Sequence, residues 1–265
     1  MTAHRLQRRA FAPHSAFTMK LDQAIVLVTG ANRGLGRALV HAALTAGAQR
    51  IYAGAREPQQ LDALVHSAPG KIVPLAIDIT DPRSLEAAAA QASDVTIVLN
   101  NAGVLASYNL LTSTADELSR DFATNVFGTL AASKAFLPAL ERAGARGGAA
   151  LINVLSIVSF ASMPALGGYS AAKAASYSIT QALRGELAAK NIAVHAVFPG
   201  PIDTDMSRGV ELAKTSPADV AKAIIDGVEQ GSENILPDPT AREFFAMWRR
   251  DTKELERQFV TMSGM

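Results

Sequence analysis

The chain has 265 residues, 49% of them apolar and 18% charged, which is enough to bury one sizeable core and excludes a disordered or low-complexity polypeptide. A formal net charge of +1 excludes the basic field that drives nucleic-acid or membrane-surface binding. The absence of cysteine excludes disulfides, thiolate metal sites and a cysteine nucleophile, and fits a cytoplasmic location.

The stretch up to Lys20 carries Arg5, Arg8 and Arg9 and no acid. Transit peptides, disordered extensions and chains read from an upstream start codon share that composition, with Met19 as the alternative start. Residues 1–19 are assigned to an extension, disordered or non-native, and residues 20–265 to the organised domain. No run of about 18 apolar residues occurs, so no membrane-spanning helix is expected.

From there the elements follow in order. Ala24 to Thr29 (AIVLVT) is rich in β-branched residues and stops at Gly30, which predicts a buried strand. Gly34 to Gly47 predicts a helix. Further strands are expected at Arg50 to Gly54, Lys71 to Ile77, Val95 to Leu99, Ala149 to Leu155 and Ile192 to Phe198. Helical patterns separate them near 58–67, 82–91, 112–140, 168–190 and 217–230. Phe244, Phe245, Trp248, Leu255 and Phe259 stand at helical spacing and predict one C-terminal helix over about 240–260. That helix packs on the body or on a neighbouring subunit, or lets Trp248 close over a substrate.

Uniformly apolar strands alternating with amphipathic helices predict an α/β chain. The expected architecture is a single-domain, Rossmann-type, doubly wound parallel sheet of about seven strands with helices on both faces. Ligands of such sheets bind at the carboxyl ends of the strands, where strand order reverses.

Thr29-Gly-Ala-Asn-Arg-Gly-Leu-Gly36 lies at that end of the first strand. Gly30 permits a tight turn, Gly34 lets backbone approach a pyrophosphate, and Gly36 lets the helix pack closely on the sheet. The helix N-terminus offers N–H groups and partial positive charge to the same group. No Gly-Lys-Ser/Thr follows, so this is not a nucleoside-triphosphate loop. The second strand runs into Arg56 with no acid before Glu57. A chain that binds NAD places an acid there for the ribose hydroxyls. Arg56 and Arg33 instead suit a 2′-phosphate, which predicts NADP(H).

Tyr169 and Lys173 stand four apart in Tyr-Ser-Ala-Ala-Lys within a helical segment, so they share one face. A free tyrosine, with a pKa of about 10, exchanges protons poorly near neutrality. A neighbouring ammonium favours the phenolate and is expected to lower that pKa, making the pair a usable general acid or base. Ser156 closes the fifth strand, where its hydroxyl can hold a substrate oxygen.

These motifs, in this order from Lys20 to Pro237, resemble the short-chain dehydrogenase/reductase family, and specifically NADP-preferring carbonyl reductases. The resemblance implies that Asn125, Ser156, Tyr169 and Lys173 are catalytic, Asn125 helping to hold a water that links Lys173 to solvent. It implies that the cofactor is held by Gly30, Asn32, Arg33, Gly34, Leu35 and Gly36, then by Arg56, Asp78 and Ile79. Asn100, Ala102 and Gly103, Tyr169 and Lys173, and Pro199, Gly200, Ile202 and Thr204 complete that set.

The implied reaction is NADPH-dependent reduction of a ketone or aldehyde, reversible to alcohol oxidation. Leu105, Tyr108, Phe160, Met163 and Met206 fall where walls of an apolar substrate pocket are expected. Two other readings stand beside this one: an acyl-carrier-protein or steroid oxidoreductase with the same catalytic set, and a noncatalytic NADP-binding sensor or scaffold. The five histidines are scattered, so no metal is expected. Expected partners are a small carbonyl substrate and further copies of the chain, as a homodimer or homotetramer. Nucleic acid and membrane are not expected partners.

Overall fold

A computed structural model describes residues 19–208 and 212–264; all but Met19 of the extension read from residues 1–19 lies outside them. The chain runs β1 (Ile25–Thr29), α1 (Gly34–Thr45), β2 (Arg50–Ala55), α2 (Asp62–Ser67), β3 (Ile72–Ala76), α3 (Pro82–Gln91), β4 (Ile97–Asn100) and α4 (Ala115–Asp121). It continues with α5 (Thr129–Gly144), β5 (Ala149–Val154), α6 (Gly167–Leu187), β6 (Ile192–Val197), α7 (Pro217–Glu229), β7 (Asn234–Ile235), α8 (Pro239–Arg250) and α9 (Thr252–Met262).

The strands form one parallel sheet in the order β3-β2-β1-β4-β5-β6-β7. This is the expected doubly wound architecture. Successive strand residues face opposite sides. Val26, Val28, Ile97 and Leu99 pack with α1, α2 and α7 on one face. Leu27, Val98 and Leu151 pack with α3, α5 and α6 on the other. Strand order reverses between β1 and β4, which opens a crevice at their carboxyl ends.

Helix starts follow side-chain chemistry. Asp81 accepts from the Arg83 N–H at 2.9 Å and caps α3, with Pro82 behind it. Thr114 and Glu117 form a reciprocal cap at α4.

Two expectations change. The C-terminal segment is two helices rather than one, because Asp251 is extended and its carboxylate caps α9 by accepting from the Lys253 N–H at 2.9 Å. Trp248 does not close over the crevice. Its ring packs 5.0 Å from that of Phe160 and 5.9 Å from that of Phe245, in an aromatic cluster behind the crevice wall. Among the described residues, no helix is long and apolar enough to cross a membrane.

Candidate active site

The crevice encloses about 470 Å³ and runs from Arg56 and Asp78 at one end to Ser156 and Tyr169 at the other. Its floor is the glycine turn. Gly30 and Gly34 take positive φ values of 68° and 52°, open to glycine without strain. A Cβ on Gly36 would overlap the Gly30 carbonyl oxygen, so α1 could not reach so close to the turn. Among the described residues no side chain caps the start of α1. Its first N–H groups therefore face the crevice available to an anion, and a dinucleotide diphosphate fits this cradle.

Thr29 and Asn101 weld the turn to the segment after β4. The Thr29 hydroxyl accepts from the N–H groups of Asn101 and Ala102, each at 3.0 Å. The Asn101 amide donates to the carbonyls of Thr29 at 2.9 Å and Gly30 at 3.2 Å. Asn100, the neighbour singled out by the motif, lies outside the crevice. Strand alternation turns it into the core, where it donates to Ser133 at 3.0 Å and to Asn153 at 2.9 Å.

At the far end of β2, Arg56 lines the crevice beside Asp78. Burial would raise the Asp78 carboxyl, but bonds from the Thr80 hydroxyl and N–H, together with the Arg56 charge, hold it below the usual carboxylate range. Arg33 also lines the crevice, yet its guanidinium is ion-paired with Asp205 at 3.0 Å. Gly34, Leu35, Ile79, Ala102, Gly103, Pro199, Gly200, Ile202 and Thr204 all stand on the wall, as does Asn32, whose amide donates to Gln60 at 2.6 Å. Gly200 is fixed by its N–H, which donates to the buried Asp238 carboxylate at 2.8 Å.

Tyr169 and Lys173 project from one face of the start of α6 toward Ser156, just past β5. The Lys173 ammonium is buried, donates to the Val154 carbonyl at 2.9 Å and lies 5.6 Å from the centre of the Tyr169 ring. Burial drives Lys173 down to about 8, with the Asp121 charge opposing.

Burial pushes the Tyr169 phenol up and Asp121 pushes it the same way, while the nearby Ser156 hydroxyl pulls it down. The sequence led us to expect a depressed phenol. In the protein alone the direction is reversed, because burial disfavours the phenolate, the Asp121 carboxylate adds to that effect, and the ammonium sits over the ring and on Val154. The result is a protonated phenol beside a hydroxyl, an arrangement suited to donating a proton.

Asn125 does not line the crevice. It sits in a π-helical turn, Phe122–Gly128, that joins α4 to α5. Its amide clamps Val104, donating to the carbonyl at 2.9 Å and accepting from the N–H at 3.1 Å, and its own carbonyl accepts from Ser176 at 2.8 Å. Val104 in turn lines the wall. Of the expected pocket residues, Leu105, Met163 and Met206 line the crevice, joined by Val104, Val158 and Leu212. Tyr108 does not; it is 60% exposed on the outer surface of its loop. Phe160 does not either, because stacking 4.3 Å from Phe198 draws it into the aromatic cluster.

The model of the short chain dehydrogenase family matches residues 24–215. The chain belongs to that family. It is therefore an oxidoreductase by descent, and relatives and solved structures agree. It is 33% identical over 202 residues to a short chain dehydrogenase of Monascus ruber, covering 71% of this chain and 66% of that protein's length. It is 32% identical over 199 residues to a 3-oxoacyl-acyl-carrier-protein reductase of Salmonella typhimurium, covering 72% of this chain and 79% of that one. The crystal structure of a short chain dehydrogenase from Burkholderia cenocepacia in complex with NADP superposes with a TM-score of 0.84 at 35% identity. That match covers 91% of this chain and 99% of the other.

Proposed function

We propose that this short-chain dehydrogenase is an NADPH-dependent reductase of apolar ketones or aldehydes. The observation that carries the reading is one crevice whose wall brings together Ser156, Tyr169 and Lys173, and also carries an uncapped helix start and Arg56. Arg56 where an acid would serve NAD supports NADP, as does the NADP-bound Burkholderia relative. Bound NADPH would supply the hydride.

The chain's own residues do the rest. The α1 N–H groups and Gly34 hold the diphosphate, and Arg56 pairs with the 2′-phosphate. Ser156 bonds the substrate oxygen and fixes the carbonyl against the hydride donor. Tyr169, held protonated, gives its proton to that oxygen as negative charge develops there. Lys173 holds an ammonium over the phenol ring and would offer a donor to the nicotinamide ribose. Val104, Leu105, Val158, Met163, Met206 and Leu212 offer the substrate an apolar wall.

A panel of small aryl ketones, aldehydes, acyl thioesters and steroids, assayed with NADPH and NADH in parallel, tests the reading. The expected result is turnover of the small carbonyls with NADPH preferred. Turnover of acyl thioesters alone assigns the chain to the acyl-carrier-protein class, and preference for NADH overturns the cofactor reading.

A further inference from the structure

Asp121 is a fully buried carboxylate that the reaction above does not use. It ends α4 and reaches across to the loop after β4. There it accepts from the N–H groups of Ala106 and Ser107, each at 2.9 Å, and from the Ser107 hydroxyl. A carboxylate with three donors and no solvent is held rigidly, and so is the loop it binds. That loop lies on the first turn of α6. The Gly167 N–H donates to the Tyr108 carbonyl at 2.8 Å, and a Cβ on Gly168 would overlap the Ser107 hydroxyl. Gly168 immediately precedes Tyr169.

We propose that Asp121 is a positioning residue for the Tyr169–Lys173 pair. Its buried carboxylate clamps the 106–107 segment against Gly168 and fixes a negative charge behind the turn of α6 that carries the reacting phenol. The proposal rests on the reductase reading and extends it. Asp121, at the end of α4, adds to the effect of burial on the phenol and opposes the effect of burial on Lys173. Asp121 thus supports the charged form of a buried lysine where desolvation works against it, and adds to the effect of burial that favours the protonated phenol.

Two variants separate charge from shape. Asp121→Asn keeps the size and removes the charge; Gly168→Ala keeps the charge and pushes the loop off α6. In the cofactor-free protein, the pH dependence of acetic-anhydride labelling at Lys173, read by mass spectrometry, gives the midpoint of its titration. Asp121→Asn is expected to move that midpoint down from about 8 by roughly half a pH unit or more, and Gly168→Ala to leave it in place. Both variants are expected to keep NADPH affinity and lose about tenfold or more in kcat.

An unmoved Lys173 midpoint in Asp121→Asn overturns the electrostatic role, and wild-type kcat in Gly168→Ala overturns the clamp. If Asp121→Asn does not fold, Gly168→Ala still decides the clamp, and wild-type kcat there removes the proposal. Loss of turnover in Tyr169→Phe alongside a wild-type Asp121→Asn sinks this inference alone. Undiminished turnover in Tyr169→Phe sinks the reductase reading beneath it.

Discussion

Arg33, in the glycine turn, and Asp205, in the loop after β6, are ion-paired at 3.0 Å across the crevice. Asp205 is shared, since its other oxygen meets Arg208 at 2.6 Å. Both members of the Arg33 pair are more than half exposed, so the pair adds little to stability. Its significance is competition: a 2′-phosphate and Asp205 would claim the same guanidinium.

Asp205→Asn is therefore expected to tighten NADPH binding about two- to threefold at low salt, with the gain fading as salt screens the charges. Fluorescence titration reads it. Looser NADPH binding in that variant would assign Arg33 and Asp205 to holding the loop shut instead.

Among the described residues Arg56 makes no close ion pair of this kind, and it carries the main cofactor prediction. Exchanging it for aspartate removes the bidentate partner of the phosphate and supplies an acceptor for ribose hydroxyls. Arg56→Asp should lower kcat/KM for NADPH relative to NADH by about tenfold to a hundredfold, the worth of one or two charge-assisted hydrogen bonds. An unchanged ratio would place 2′-phosphate recognition elsewhere.

Gly36→Ala tests the cradle. The new methyl group meets main chain at Gly30, which cannot swing aside as a side chain could. The turn must open, at an expected loss of about 1–3 kcal/mol in denaturant unfolding together with weakened NADPH binding. Wild-type behaviour in both assays would mean that α1 tolerates a wider turn than the close approach here implies.

The buried Lys173 makes stability depend on pH in a fixed direction. Its folded pKa of about 8 lies below the ordinary lysine value of 10.5, so between those limits the unfolded chain binds more protons than the folded one. Stability from this group therefore rises as pH climbs through that window and is lower beneath it. Lys173→Met removes the effect. The stability of wild type relative to the variant should increase from pH 7 to pH 11 by on the order of 3 kcal/mol, measured without cofactor. A difference that is flat or falls with pH would show that Lys173 is not strained by its burial.

Much of this architecture is visible in the residues alone because parallel strands buried on both faces leave continuous apolar runs, as at Ile25–Thr29 and Ile192–Val197. β7 leaves no such trace, being two residues long and flanked by polar sequence. The break at Asp251 did leave one: an aspartate three residues ahead of Glu254 is a helix-start pattern that aromatic spacing obscured.

At the site, serine, tyrosine and lysine were legible from spacing and strand-end placement. The choice between Asn100 and Asn101 was not, since it turns on which of two neighbours the strand's last residue points inward. Asp121 was hidden for a different reason. Its partners lie 14 and 15 residues earlier, in a loop whose return to α6 no local pattern announces.

The most direct test of the catalytic account is Tyr169→Phe, which deletes one oxygen and leaves the ring in place. NADPH should bind with affinity within about twofold of wild type, while carbonyl turnover falls by roughly a hundredfold or more. A folded variant that binds NADPH and turns over at the wild-type rate would contradict the account, because the proton would then come from another group.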